Sequence, residues 1–322
     1  MNFWKKIKKP FFCLAPMADV TDFALRSMFV KYGKPDVLWT EFVSADGLAN
    51  EVGRKALSID LKFSKKEKPI VVQLFSSNPK KMREASRYVA SLGFDGIDIN
   101  MGCPDKKVEK QGAGAALIKD MKRAGEIIQA VKDGIKDSKK DIGISVKTRI
   151  GYNQNQIKEW IPFILEQDVD ALTIHARTRK DMSKVEARWE HVKEVVGIRN
   201  KMGVKTLIIG NGDVLGIKDG LKKIKETGCD GVMIGRGVFG NPWIFSRHEK
   251  IHTTEEKLKV LVEHTKLFKK HLGKVKNFSI MKKFYKAYVN GFDGAKELRV
   301  KLMDTKNAKE VEKIIKEFLK IL

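Results

Sequence analysis

Cysteine is scarce in this sequence and never paired in the way a metal site or a redox couple needs. Cys13, Cys103 and Cys229 are the three present in 322 residues, and no CxxC occurs. An odd, widely spaced set excludes a disulfide framework and leaves structural zinc without ligands, so free thiols in a cytoplasmic protein are expected. Long apolar runs are missing too. None reaches membrane-spanning length, and the basic opening MNFWKKIKKPFF leads into no apolar stretch with a small-residue cleavage site. Neither a membrane span nor a signal peptide is therefore expected. Negative charge is the last shortage: 64 basic residues face 40 acidic ones, a formal net charge of +24. A polyanionic partner such as nucleic acid explains that excess, and so does a lysine-rich, solvated surface; charge alone does not choose.

Short apolar runs, by contrast, recur. GFDGIDIN (93–100), DVDALTIH (168–175) and CDGVMIG (229–235) each carry an aspartate, a small residue and then a buried-strand pattern. With FFCLAPM (11–17), DVLWTEF (36–42), IVVQLFS (70–76), GISVKTRI (143–150) and TLIIGNGD (206–213) they make eight strands separated by helical patterns. Eight such units in roughly 240 residues predict an α/β fold, a closed (β/α)8 TIM barrel, over an open doubly wound sheet. The open sheet lacks its fingerprint: no strand is followed by GxGxxG with an acidic residue about 20 positions on. Gly112 and Gly114 read instead as a loop that opens a helix.

A barrel gathers the C-terminal ends of its strands at one mouth. Read in order, that mouth carries Pro16-Met17-Ala18, Glu41, Gln73, Asn100 with Cys103, Lys147 with Arg149, and His175 with Arg177. Asn211-Gly212-Asp213 and Gly235-Arg236 complete it. A mostly cationic ring with few carboxylates suits a large anionic or amide-rich ligand and argues against a divalent metal. Cys103 stands out within it, just past a strand and between Gly102 and Pro104. A packing cysteine would sit inside the run, as Cys13 and Cys229 do.

After NPWIF (241–245) the strands stop. From about residue 248 the chain reads as helices, TTEEKLKVLVEHTKLFKKHL, SIMKKFYKAYV, GAKELRVKLMD and NAKEVEKIIKEFLKIL, with Thr253 or Thr254 as first cap. The expectation is a barrel over 1–247 and a C-terminal all-α helical domain over 248–322. Lysines interleave with aromatics in KKFYKAY, which fits a nucleic-acid grip or a merely solvated cap.

The segments APMADVTDFALR, VVQLFS, DINMGCPDKKVEKQGAGAALIKD, SVKTRIGY, IHARTR, GNGDV and MIGRGVFGNPWIF resemble the tRNA-dihydrouridine synthases, in order and each at a strand end. The likeness resumes at GFDGAKELRVKLM and is nearest to the bacterial B-type branch. It implies FMN in the mouth, NADPH (or NADH) as electron donor and a uridine of the tRNA D-loop as substrate. By that resemblance Pro16, Met17, Ala18, Gln73, Lys147, His175, Asn211, Gly212, Asp213, Gly235 and Arg236 bind the flavin. Physical chemistry agrees: Gln73 offers an amide to the ring's amide-like edge, Lys147 a charge near nitrogen 1, and the late glycine turns with Arg236 a phosphate cradle. Gln73 as a strand cap and the glycines as plain turns stay open.

The same resemblance makes Cys103 the acid that protonates uracil carbon 5 while hydride reaches carbon 6. A thiol near its ordinary pKa is protonated at neutral pH and suits that task. Asn100, Arg177 and Arg179 are expected at uracil and the adjacent phosphate, with Lys282, Lys283 and Lys286 gripping RNA backbone further off. KKFYKAY departs from the KH that family variants carry there. No metal is implied, and a monomer is expected. Two other classes stay open: an FMN-dependent dehydrogenase of free pyrimidines, such as a dihydroorotate dehydrogenase, and a non-catalytic RNA-binding relative.

Overall fold

The computed structural model describes residues 2–248 and 250–322. Its centre is one parallel sheet of eight strands: β1 Phe11–Leu14, β2 Leu38–Ser44, β3 Ile70–Phe75, β4 Gly96–Met101, β5 Gly143–Arg149, β6 Ala171–His175, β7 Leu207–Asn211 and β8 Gly231–Ile234. Neighbours run β1-β8-β7-β6-β5-β4-β3-β2. A parallel bridge between Cys13 and Val37 joins the two ends, so the sheet closes on itself. The expected (β/α)8 barrel is what forms.

Period-two alternation sorts the side chains. Phe11 and Cys13 of β1, Trp39 of β2, Val71 of β3, Leu207 and Ile209 of β7 and Met233 of β8 fill the barrel interior. Their neighbours Phe12, Leu14, Val72 and Ile208 face the surrounding helices. Trp4, on the turn Phe3–Lys5, plugs the interior. It packs so closely on β5 that a Cβ at Gly143 would lie 2.3 Å from its ring.

The aspartates of the recurring phrases have one structural job. Asp95 accepts the amide of Ile70 at 2.9 Å, Asp170 that of Ile144 at 2.8 Å and Asp230 that of Ile208 at 2.7 Å. Asp36 does the same for Phe12 at 2.8 Å. Each carboxylate accepts an amide from the first two residues of the strand that precedes its own, at that strand's N-terminal end.

Beyond the barrel lie the helices Thr254–Leu272, Lys282–Tyr288, Ala295–Met303 and Ala308–Phe318. Thr253 caps the first with a reciprocal bond from Glu256, and Asn307 caps the last. One continuous apolar core runs from the barrel helices into this tail. Phe239 stacks on Phe284 at 5.2 Å, and Tyr32 Oη donates to Glu263 at 2.5 Å. Lys276, between the first two tail helices, reaches the mouth and lies 2.9 Å from Glu41, 3.3 Å from Asp60 and 3.4 Å from Asp19. Among the described residues no helix is long and apolar enough to cross a membrane.

Candidate functional site

A cavity of about 690 Å³ opens at the C-terminal ends of the strands. Its wall brings together Pro16, Met17, Lys147, His175, Arg177, Asn211, Gly212, Asp213, Gly235 and Arg236, all singled out in the sequence. Asp213 is the one carboxylate among the described residues of that wall.

Lys147 ends up there because alternate β5 residues point to the mouth, and Arg149 follows it two positions on. Burial, with help from the neighbouring Arg149, pulls the Lys147 ammonium down to about 8. Arg149 is itself buried and drawn down to about 10 by that burial. It is held by the carbonyls of Gly102 at 2.7 Å, Thr178 at 2.9 Å and Met182 at 3.1 Å. Burial and then the cations Lys147, Arg149, Arg177 and Arg236 hold His175 well below its usual pKa. A guanidinium can only donate, so the 3.2 Å contact from Arg177 Nη1 to His175 Nε2 leaves the imidazole proton on Nδ1. His175 is thus a neutral donor in a cationic wall.

Arg177 and Arg236 share Asp213 as ion partner. Burial raises the Asp213 carboxyl, but the Ala187 amide and the two guanidiniums outweigh it and hold it below the usual range. One carboxylate between two guanidiniums leaves a net positive charge.

Cys103 sits at the rim beyond β4, part-buried, next to the wall residue Pro104. Burial raises its pKa, against the pull of the Asp105 amide and of Lys147 and Arg149, so the thiol is neutral at pH 7. Its loop is tightly held. Asn100 Oδ1 accepts the amides of Gly102 at 3.1 Å and Cys103 at 2.9 Å, and the Cys103 carbonyl accepts the amide of Ala115 at 3.0 Å. Gly114, with φ of 62°, leaves room for that carbonyl, 2.8 Å from where its Cβ would stand.

This geometry, a neutral thiol at the end of β4 above a cationic mouth, is matched by a whole-chain similarity. The dihydrouridine synthase (Dus) family model aligns with residues 13–321. The chain belongs to the dihydrouridine synthase family. It is 41% identical over 319 residues to a probable tRNA-dihydrouridine synthase of Staphylococcus aureus (strain COL), covering 98% of this chain and 95% of that protein. It is 40% identical, covering 98% and 96%, to probable tRNA-dihydrouridine synthase 2 of Bacillus subtilis (strain 168). Among solved structures, morphinone reductase aligns with a TM-score of 0.51 at 12% identity, over 76% of this chain and 87% of that one. A 2-naphthoyl-CoA reductase aligns at 0.54 and 11% identity, over 76% of this chain and 52% of its own. At such identities these two speak to the barrel alone.

Against this family site, several expected residues stand back from the cavity wall. Ala18 is exposed on the β1 loop. Gln73 is fully buried, donating to Asp98 at 2.6 Å and accepting from Asn100 at 2.9 Å. Arg179 pairs with Glu109 (Nε to Oε1, 2.9 Å) and lies over the Tyr152 ring at 5.3 Å. Lys282 is part-buried and Lys286 exposed, while Lys283 Nζ donates to the Asp19 carbonyl at 2.9 Å. Sequence reasoning placed Arg149 at the mouth without giving it a role; its period-two partnership with Lys147 was the available signal. Met182 and Ser183 also line the cavity, and as loop residues they carried no signal, while Val214 does so at the end of GNGDV.

Among the described residues no group of three or more His, Cys, Asp or Glu could hold a metal ion.

Proposed function

We propose that this protein reduces the carbon 5–carbon 6 double bond of a D-loop uridine in tRNA, with FMN in the barrel mouth and NADPH or NADH as electron donor. The observation that carries the reading is the part-buried, neutral Cys103 thiol on a rigid loop beside the cationic cavity. The wall fits FMN on its donor chemistry. A cavity of about 690 Å³ is of the size that holds a cofactor. Arg236, with Arg177 and the turns at Gly212 and Gly235, suits a phosphate; Lys147 and His175 Nδ1–H suit a ring edge rich in acceptors; Pro16 and Met17 supply apolar contact.

FMN, once reduced, supplies the hydride. The chain's own residues do the rest. The cationic wall attracts the phosphates of both ligands, and a uridine stacked in folded RNA must swing out into the mouth to reach it. Cys103 holds a proton at Sγ and gives it to carbon 5 as general acid; Asn100 keeps the loop that carries it in place. Asn100, its amide spent on Gln73 and on the Gly102 and Cys103 amides, acts through that loop and not on the uracil edge expected of it; Arg177 stays with Asp213 in the wall, and Arg179 would meet a neighbouring phosphate only by leaving Glu109. Residues 248–322 form the tRNA-holding domain, with Lys282, Lys283 and Lys286 on RNA backbone. No separate dinucleotide domain is evident in the sequence, so the electron donor uses the same mouth before the RNA does.

The test is substrate choice. Unmodified tRNA and free uridine, each with NADPH, and dihydroorotate, with oxygen as electron acceptor, are offered separately to the FMN-loaded protein, and products are read by mass spectrometry of nucleosides and acids. Dihydrouridine at a D-loop position of tRNA supports the reading. Turnover of dihydroorotate with none of tRNA replaces it with a pyrimidine dehydrogenase.

A further inference from the structure

Inside the barrel, above the Trp4 plug, a chain of buried polar groups leads from Asp98 to the loop of Cys103. Asp98 lies in β4, fully buried, with Gln73 of β3 and Ser145 of β5 as its register partners. Ser145 Oγ donates to Asp98 Oδ1 at 2.5 Å and Gln73 Nε2 to Asp98 Oδ2 at 2.6 Å. Gln73 Oε1 accepts from Asn100 Nδ2 at 2.9 Å, and Asn100 Oδ1 accepts the amides of Gly102 and Cys103.

The two ends of this chain fix its direction. Backbone N–H groups of Gly102 and Cys103 can only donate, so Asn100 must show them its oxygen. Its NH2 then faces Gln73, which must answer with its carbonyl, and the Gln73 NH2 is left pointing at position 98. An acceptor is required there. A carboxylate supplies one whatever its protonation: were Asp98 protonated on Oδ1, Ser145 Oγ could turn to accept while Oδ2 still faced Gln73. If Gln73 flipped instead, oxygen would face oxygen at Asp98 and NH2 would face NH2 at Asn100. In a dry interior such mismatches are far costlier than at the surface.

We infer that Asp98 is a positioning residue for proton delivery: by fixing the amide orientations of Gln73 and Asn100, it holds the Gly102–Cys103 turn at the mouth. The inference rests on the reading of Cys103 as the proton donor. It makes Asp98 essential for its acceptor and not for its charge, so an asparagine in the same place, Oδ1 toward Gln73 and Nδ2 toward Ser145, should serve.

Thiol alkylation tests this without depending on turnover, because Cys13 and Cys229 are buried and Cys103 alone is part-exposed. Holoenzyme is treated with iodoacetamide at fixed pH, and the alkylated fraction of Cys103 is followed by peptide mass spectrometry. In Asp98→Leu the freed loop should raise the rate roughly tenfold, equivalent to ~1.4 kcal/mol of lost restraint, with dihydrouridine formation falling alongside. In Asp98→Asn both should return to near the parent's values. If the leucine variant fails to fold, Asp98→Ser, too short to reach Gln73, takes its place. Unchanged alkylation in the leucine or serine variant, or an asparagine variant as impaired as leucine, overturns the inference. A parent that alkylates as expected but makes no dihydrouridine defeats the proposed function and its proton delivery, and leaves standing only the hold of Asp98 on the Gly102–Cys103 turn.

Discussion

Replacing Lys276 by methionine removes the cation that ties the tail to the mouth. Its Nζ lies 2.9 Å from Glu41, and the two side chains are only 15% and 7% exposed. Asp19 and Asp60 keep solvent contact at 54% and 22%, so Glu41 is the carboxylate left buried without a cation, with the Asp19 amide as its remaining donor. Breaking a buried pair costs ~3–5 kcal/mol, and the partial exposure of Lys276 argues for a little less, ~2–3 kcal/mol. For a chain of this size that corresponds to a fall of roughly 3–5 °C in Tm. The pH dependence has a definite sign. Burial raises the Glu41 pKa, and Lys276 is the main influence opposing that rise. Without Lys276 it rises further. A carboxyl with a raised folded pKa destabilises while ionised, and the penalty is relieved as pH falls through that pKa. Thermal unfolding followed by circular dichroism should therefore show parent and Lys276→Met far apart at pH 7 and closer at pH 5. In a Glu41→Gln background the same substitution should cost much less. An equal loss at both pH values and in both backgrounds would refute the buried-pair argument.

Other outcomes follow from the mouth and the tail. Cys103→Ala should retain flavin and its reduction by NADPH while slowing dihydrouridine formation by about 10²–10⁴-fold, the usual worth of a general acid; stopped-flow absorbance separates the two steps. Lys147, drawn down to about 8 by burial, carries its charge below that pH, so FMN affinity should fall as pH rises from 7 through 9. Lys147→Met should weaken binding at pH 7 and flatten the fall, as fluorescence titration would show. Lys282→Ala combined with Lys286→Ala should make the slope of log tRNA affinity against log salt shallower by up to about 2, leaving flavin reduction unaltered.

The barrel was legible because eight short apolar runs, each closed by polar or glycine residues, admit few other arrangements. The mouth was legible for the same reason: residues such as Lys147, His175 and Arg236 end strands, and strand ends converge. What the sequence could not show is how the polar groups are spent. Gln73 and Asn100 look like free amides in a linear reading. Only the β3–β4 register, which sets Gln73 opposite Asp98, turns them into one buried chain. Arg179 likewise looks available until the loop after Cys103 folds Glu109 against it. The aspartates of the repeated phrases were visible as a pattern, but their use as acceptors for an amide at the start of the preceding strand is a three-dimensional fact. Lys276 gave no signal at all; one lysine among many becomes distinct only when Glu41, 235 positions away, meets it.

The most direct measurement of the central claim is a single anaerobic turnover. FMN-loaded protein is bleached with one equivalent of NADPH, mixed with unmodified tRNA, and followed at the flavin absorbance, with dihydrouridine counted afterwards. The account predicts that the yellow colour returns at a rate set by tRNA concentration, with one dihydrouridine formed per flavin re-oxidised. Flavin that stays bleached in the presence of tRNA, or re-oxidises without forming dihydrouridine, would contradict it.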